Sequence, residues 1–274
     1  ADAVSSAVRR GDWPAAAADR LSGTMAPEVA RVPMAARLCV VTQRHGAIRD
    51  WLGEVPATVL RSTNAGRMLR DVRTVLAHVP RATALEFKNN GAALTQDVMG
   101  AIATAVGTTL TTLTVAHTDL SNSAVAPLGE LVALTQLSLT DRSLDSVSDG
   151  ALIAVAGRLS RLLRLDLSRN ADDAVTDRMI TAFAAHHPQL QHVKLASAFG
   201  SISDDGIHAV ASHCKNLQFL DVSGTDGCIT QDAIVEVAKA CPQLQHLNVA
   251  LTGNTMSAAA MTSIAQNCPQ LRTL

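Results

Sequence analysis

Three stretches near the end of the chain repeat one pattern: HCKNLQFLDVS at 213–223, ACPQLQHLNVA at 240–250 and NCPQLRTL at 267–274. Their cysteines, Cys214, Cys241 and Cys268, are evenly spaced along the sequence. A fourth stretch, HHPQLQHVKLA at 186–196, keeps the same spacing with His187 in place of the cysteine. A fixed period of about 20 to 50 residues is the sequence signature of stacked structural repeats.

The leucines of these stretches fit the spacing L-x-x-L-x-L, and the fit extends toward the N-terminus. Its first position falls at Leu190, Leu162, Leu134, Leu110 and Ala82, with one shorter step between Leu134 and Leu110. A fainter match at Val55, Thr58 and Leu60 lies one repeat before Ala82. Each segment is short and alternates apolar with polar residues, which is typical of a strand with one buried face.

A second signature lies between the strands, where an apolar residue is followed by Ser or Thr. It recurs at Leu94-Thr95, Leu120-Ser121, Val147-Ser148, Val175-Thr176, Ile202-Ser203, Ile229-Thr230 and Met256-Ser257. A hydroxyl residue is a good N-cap and the apolar residue before it a hydrophobic staple, so we predict that a helix starts at each pair. Pro188, Pro242 and Pro269 follow the predicted helix ends, which proline cannot continue.

One unit is thus a strand, a loop, a capped helix and a turn in about 27 residues, within the range of known structural repeats. Such a unit cannot bury its apolar face alone, so the units must stack. The cysteines and the I/V-[ST]-[DQ] helix entry resemble the cysteine-containing class of leucine-rich repeats, which is common in F-box proteins. The resemblance covers residues 82 to 274. It implies a curved α/β leucine-rich-repeat solenoid of seven to eight repeats, with parallel strands on the concave face and helices on the convex face.

Residues 13 to 51 resemble an F-box. Trp13-Pro14 stands where that motif has Leu-Pro, residues 36–41 (ARLCVV) resemble one of its helices, and Arg44 and Trp51 follow. The Leu-Pro-x-Glu turn is missing. The alternative is a helical cap that shields the first repeat. We therefore expect a helical N-terminal region over 1–54 and the solenoid over 55–274. Since residues 271–274 open a strand with no helix after it, we expect the natural chain to continue.

Composition excludes several classes of function. The chain has 274 residues, 47% hydrophobic, with a formal net charge of −1 and 2% aromatic residues, so neither bulk charge nor base-stacking rings favour nucleic acid. No apolar run is long enough to span a membrane. Phosphate-binding loops, dinucleotide fingerprints and catalytic motifs are missing, so we predict neither an enzyme nor a cofactor.

The cysteines point to location and to packing. Five occur, an odd number without clustering, which fits reduced thiols in an intracellular, cytoplasmic protein. Cys214, Cys241 and Cys268 occupy one equivalent position and form no C-x-x-C pair, and His192 and His246 lie two repeats apart, too far from each other to share an ion. We therefore expect buried, metal-free thiols.

Function is expected on the concave face, where the x positions of successive strands form two rows. The third template position reads Ala84, Thr112, Gln136, Arg164, His192, Phe219, His246, and the fifth reads Glu86, Thr114, Ser138, Asp166, Lys194, Asp221, Asn248. The N-terminal half offers mostly small neutral groups. We predict that a partner binds the other half, at Arg164, Asp166, His192, Lys194, Phe219, Asp221 and His246, with Phe219 exposed. The alternative is a solvated strand face with ion pairs such as Asp166 with Lys194.

These observations predict a protein-interaction scaffold. If the F-box resemblance holds, the chain is the substrate receptor of an SCF-type ubiquitin ligase, with a Skp-type adaptor on its N-terminal region and the target on its concave face. The alternative from another class is a fixed structural subunit of a large assembly, for example a ciliary or mitochondrial complex. A repeat-type GTPase-activating protein is a third candidate, which the cysteine pattern does not favour.

Overall fold

The structure is a computed structural model. It describes the backbone of strands at 37–41 and 58–60, helical residues at 68–70, 72–73 and 76, and then residues 81–88, 93–170, 173–198, 202–225, 227–253 and 256–274. Among these residues no helix is both long and apolar enough to cross a membrane.

Within the part of the chain that the structure describes, nine strands form one parallel sheet. They are β1 (Arg37–Val41), β2 (Thr58–Leu60), β3 (Ala84–Lys88), β4 (Thr112–Ala116), β5 (Gln136–Thr140), β6 (Arg164–Asp166), β7 (His192–Lys194), β8 (Phe219–Asp221) and β9 (His246–Asn248). Their order is β2-β1-β3-β4-β5-β6-β7-β8-β9, so strands β3 to β9 follow the sequence. Among the described strands the two ends of the sheet do not pair with each other, so this sheet is open.

A helix crosses over after each strand from β3 onward. The helices are α1 (Gln96–Val106), α2 (Asn122–Val125), α3 (Asp149–Ala156), α4 (Asp177–His186), α5 (Asp204–His213), α6 (Gln231–Ala240) and α7 (Ala258–Asn267). All seven start directly after the predicted Ser or Thr, which confirms the predicted helix starts. The shortest repeat has room for only the four residues of α2, and a 3-10 helix, Ala126–Glu130, completes its crossover.

Stacking of these units gives the predicted fold class, an α/β leucine-rich-repeat solenoid. Neighbouring strands are spaced by about 4.8 Å, whereas packed helices need about 8 to 10 Å. The helices therefore occupy the longer, convex side and the strands the shorter, concave side. Consecutive helices from α3 to α7 contact one another along that convex side.

The core between the two layers is almost wholly aliphatic. The template leucines lie in it, with Leu137 and Leu220 0% exposed and Leu165 2% exposed. Phe87 and Phe183 are the aromatic residues among its largest buried side chains. Burial of apolar surface on this scale is the main stabilising contribution to a repeat that has no core of its own.

The N-terminal strands differ from the prediction. Residues 36–41 resemble an F-box helix, but Arg37–Val41 forms β1, which pairs with β3 from Arg37 opposite Ala84 to Val41 opposite Lys88. The segment LCVV ends in two β-branched valines, which favour a strand over a helix. The rest of residues 13–51 lies outside the described part of the chain, so the other resemblances there stay predictions.

The faint repeat at 55–60 does form a strand, but in a different place. Strand β2 pairs with β1, with Thr58 opposite Leu38, and β1 separates it from β3. The template aligns Thr58 with Leu85, and the structure keeps this register, since Leu38 lies opposite both residues. The template therefore identified the strand and its register but not its neighbour.

Carboxylate and amide side chains join the helix N-termini of successive repeats. Asp177, the first residue of α4, accepts hydrogen bonds from the Ser203 amide at 2.9 Å, the Ser203 hydroxyl at 2.6 Å and the Gly206 amide at 3.1 Å. Asp204 accepts from the Thr230 amide and hydroxyl, both at 2.7 Å. In the same way Asn122 accepts from Ser148, Asp149 from Thr176 and Gln231 from Ser257. We call this series the helix-start ladder.

The hydrogen bonds of the helix-start ladder change the interpretation of the predicted N-caps. Only Thr176, Ser203 and Ser257 accept a hydrogen bond from their own helix, as a capping hydroxyl should. The hydroxyls of Ser148 and Thr230 make no such bond and are turned instead toward the preceding repeat. The residue after the hydroxyl therefore contributes to stability as well, because its side chain accepts a hydrogen bond from the next repeat. This residue is Asn122, Asp149, Asp177, Asp204 or Gln231.

Candidate binding surface on the strand face

The strand register builds the two predicted rows. Arg164, His192, Phe219 and His246 lie opposite one another on β6 to β9, as do their counterparts back to Ala84 on β3. The second row runs in the same way from Glu86 to Asn248. The predicted partner-binding residues are therefore brought together on consecutive strands, although they belong to separate repeats of the sequence. Their role in binding stays a prediction.

Three rings of the first row form a stack. The centroid of the Phe219 ring is 5.7 Å from that of His192 at an interplanar angle of 19°, and 5.6 Å from that of His246 at 38°. These are favourable separations for aromatic pairs. Phe219 is consequently half-buried rather than exposed, which corrects the prediction, because the two imidazoles cover its faces from the adjacent strands.

The stack is held at its far end. His246 Nδ1 lies 2.9 Å from the Thr273 hydroxyl, and His246 and Thr273 also form a parallel bridge. At the near end, burial lowers the pKa of His192, with further lowering from Arg164 and His246. The lowered pKa favours the neutral form of the His192 imidazole, which still carries one N–H donor.

Arg164 borders the stack and is exposed. It makes no ion pair with any residue that the structure describes. On the second row, Lys194 Nζ lies 3.9 Å from Asp166 Oδ2, with side-chain exposures of 42% and 29%. The pair that the solvated-face alternative expects is thus present, although such surface pairs contribute only about 0 to 1 kcal/mol.

The acidic residues of the second row have local partners. Asp166 Oδ1 accepts from the Ser168 amide at 3.1 Å, and Asp221 Oδ1 accepts from the Ser223 amide at 3.0 Å and the Ser223 hydroxyl at 2.7 Å. Asp221 is only 7% exposed, which leaves little of it for a partner. The D-x-S spacing is a known turn signal that could have shown this role from sequence.

The N-terminal half of the strand face carries little free charge. Ala84, Thr112 and Gln136 of the first row are half-buried. Glu86, the charged member of the second row there, forms an ion pair with Lys88. The charged row residue of this half is thus paired, whereas Arg164 in the C-terminal half is not paired with any described residue.

The periodic cysteines lie on the opposite side of the core, at the helix C-termini. Cys214, Cys241 and Cys268 are buried and unpaired, as predicted, and each is the C-cap residue of its helix. Their thiols donate to backbone carbonyls of the preceding repeat, Cys241 to Cys214 at 3.4 Å for example. Burial raises the pKa of Cys214 to about 12 and that of Cys241 to about 11, which keeps both protonated. Cys228, outside this series, is only half-buried.

His187 takes the cysteine position one repeat earlier and is 0% exposed. Its Nδ1 lies 2.7 Å from the Phe183 carbonyl oxygen and its Nε2 lies 3.0 Å from that of Leu159. Burial lowers the pKa of His187 in spite of these two carbonyls, which raise it. Within the described residues no group of three His, Cys, Asp or Glu side chains is placed to hold a metal ion.

The comparisons with known proteins give a structural likeness but no sequence relative. No protein-family model matches the sequence, and no curated protein matches it. Among 123 matching chains of solved structures is one from the crystal structure of the Rad7 and Elc1 complex in yeast, at 14% identity and a TM-score of 0.44. The match covers 76% of this chain, which spans 65% of that chain's length. A likeness at this level carries no argument about what this chain binds.

Proposed function

We propose that this chain is a protein-interaction scaffold that binds a partner protein on the C-terminal half of its concave strand face. The observation that carries the proposal is the stack of His192, Phe219 and His246 beside an exposed Arg164. Aromatic and Arg side chains dominate the binding energy of protein interfaces. No catalytic step is assigned to the chain itself.

The stack favours binding over a merely solvated face. A Phe on the outward side of a strand has no packing duty in the core, and the two flanking imidazoles hold it in a fixed orientation. A partner that covers the remaining half of Phe219 would gain on the order of 1 kcal/mol from that ring alone. Since the ring is already ordered, little side-chain entropy is lost on binding.

A finer proposal follows from the F-box resemblance: the chain is a substrate receptor of an SCF-type ubiquitin ligase, with a Skp-type adaptor on residues 13–51. Strand β1 counts against it, because Arg37–Val41, within the resembling segment, is not helical. Co-purification of the chain with a Skp-type adaptor from its own cells tests this proposal. A stoichiometric complex without any such adaptor would favour the fixed-subunit alternative.

The scaffold proposal is tested by recovering partners from cells and measuring their dissociation constants with purified variants. The double variant Phe219→Ala, Arg164→Ala should weaken binding about tenfold or more. Thr112→Ala, on the same row in the N-terminal half, is the matched control and should leave binding unchanged. Circular dichroism and thermal melts serve to check that both variants stay folded. An unchanged dissociation constant for the double variant contradicts the proposal.

A further inference from the structure

The strand face also indicates what kind of segment it binds, an inference that rests on the proposed function. Arg164 lies in the first row between Gln136 and His192. An amide, a guanidinium and an imidazole side by side offer N–H donors for one anionic group. Two strands further along the row, the Phe219 ring offers an apolar contact.

The charges nearby select the anion. Asp166 follows Arg164 on the same face of β6, and its negative charge is compensated only in part by Lys194 at 3.9 Å. A phosphate dianion generally needs a cluster of cations, whereas a single carboxylate is matched by one Arg. The site therefore suits a carboxylate better than a phosphate.

The spacing of the two contact points matches a polyproline II segment. Arg164 and Phe219 are two strands apart, which is about 10 Å at about 4.8 Å per strand. A polyproline II segment has three residues per turn and rises about 3.1 Å per residue, so residues i and i+3 lie on one side about 9 Å apart. In a β-strand same-face residues i and i+2 are only about 7 Å apart, and an α-helix needs residues i and i+7 to cover about 10.5 Å on one face. A three-residue spacing between the two contacts is therefore specific to the polyproline II conformation.

We propose that the partner contributes an extended, polyproline II-like acidic segment in which a carboxylate binds Arg164 and an apolar or aromatic side chain three residues away packs on Phe219. Aromatic-lined surfaces recognise such segments because little backbone entropy is lost when they bind. The imidazole rings on either side of Phe219 provide such a lining.

The test selects phage-displayed random twelve-residue peptides on the full chain. Enriched peptides should carry Asp or Glu three residues from Phe, Tyr, Trp or Leu, in either order. A fluorescein-labelled enriched peptide should lose about tenfold or more in affinity with Arg164→Ala or with Phe219→Ala, and nothing with Thr112→Ala. Moving the acidic residue one position nearer to or farther from the aromatic residue should lower the affinity of the peptide by a similar factor.

A charge swap makes the assignment specific. Arg164→Glu should lose the acidic peptide and bind its Lys-substituted counterpart more tightly than the unaltered chain does. Enriched peptides that depend on Phe219 but lack the acidic residue, or that bind more tightly with phosphoserine in its place, overturn the carboxylate assignment and leave the strand-face site standing. Peptides insensitive to both alanine variants, or no enriched peptide at all, overturn the inference, and insensitive peptides also count against the proposed site.

Discussion

The helix-start ladder predicts a graded loss of stability when its acceptors are removed. Asp177, Asp204 and Gln231 accept three, two and one hydrogen bonds from the next repeat, in that order. Each acceptor is half-buried, so water competes for its donors and each bond contributes about 1 kcal/mol rather than the upper value for a charged group. Asp177→Ala should therefore cost about 3 kcal/mol, Asp204→Ala about 2 and Gln231→Ala about 1 or less.

The loss of a carboxylate from a helix N-terminus has its own cost of about 0.3 to 1 kcal/mol. Asp205→Ala measures that cost separately, because Asp205 lies in the first turn of α5 and its carboxylate bonds no neighbouring repeat among the described residues. Urea unfolding followed by circular dichroism gives the free energies. The reasoning is refuted if the three substitutions cost the same, or if Asp205→Ala costs as much as Asp177→Ala.

Three further predictions concern stability. Gly206→Ala should destabilise the protein in thermal melts, because the new methyl group would overlap the Asp177 carboxylate. The new methyl group of Gly150→Ala meets nothing within 4 Å, so this control should stabilise α3 by up to about 1 kcal/mol. A gain in stability at both positions would contradict the ladder geometry. Leu220→Ala should lower the free energy of unfolding in urea by about 2 to 5 kcal/mol, because Leu220 is fully buried. Val132→Ala, at an exposed position, should lower it by less than about 0.5 kcal/mol. Equal losses would mean that the strand register is wrong. Because the pKa of His187 is lowered in the folded protein, the unfolded chain binds the proton first as the pH falls. The free energy of unfolding should therefore decrease as the pH drops below the ordinary histidine pKa of about 6.5. His187→Cys should flatten this part of the stability–pH profile, and an unchanged profile would count against the assignment.

The leucine spacing predicted much of the fold because burial imposes it directly. Leu137, Leu165 and Leu220 must face the core, so their spacing fixes which strand residues face outward and which lie opposite one another. Helix starts were equally predictable, since a hydroxyl N-cap is a local feature. The rows of the candidate site follow from the same register.

Features that depend on a second segment of chain were not predictable. The position of β1 between β2 and β3 requires knowledge of how the chain crosses the sheet, which the letters of Arg37–Val41 do not contain. Likewise Asp177 reads as an ordinary first-turn acid until α5 is placed beside it. The covering of Phe219 depends on the side-chain orientations of His192 and His246, which a spacing argument leaves open.

The descending bond count of the helix-start ladder also has a mechanical consequence. Each repeat touches only its neighbours, so tension applied along the solenoid passes through every joint in series and the weakest joint opens first. Of the ladder joints from Asp177 onward, the one with the fewest helix-start bonds is that of Ser257 with Gln231, between the repeats that contribute Phe219 and His246. A ligand seated across those two rings would bridge that joint and raise the force needed to open it.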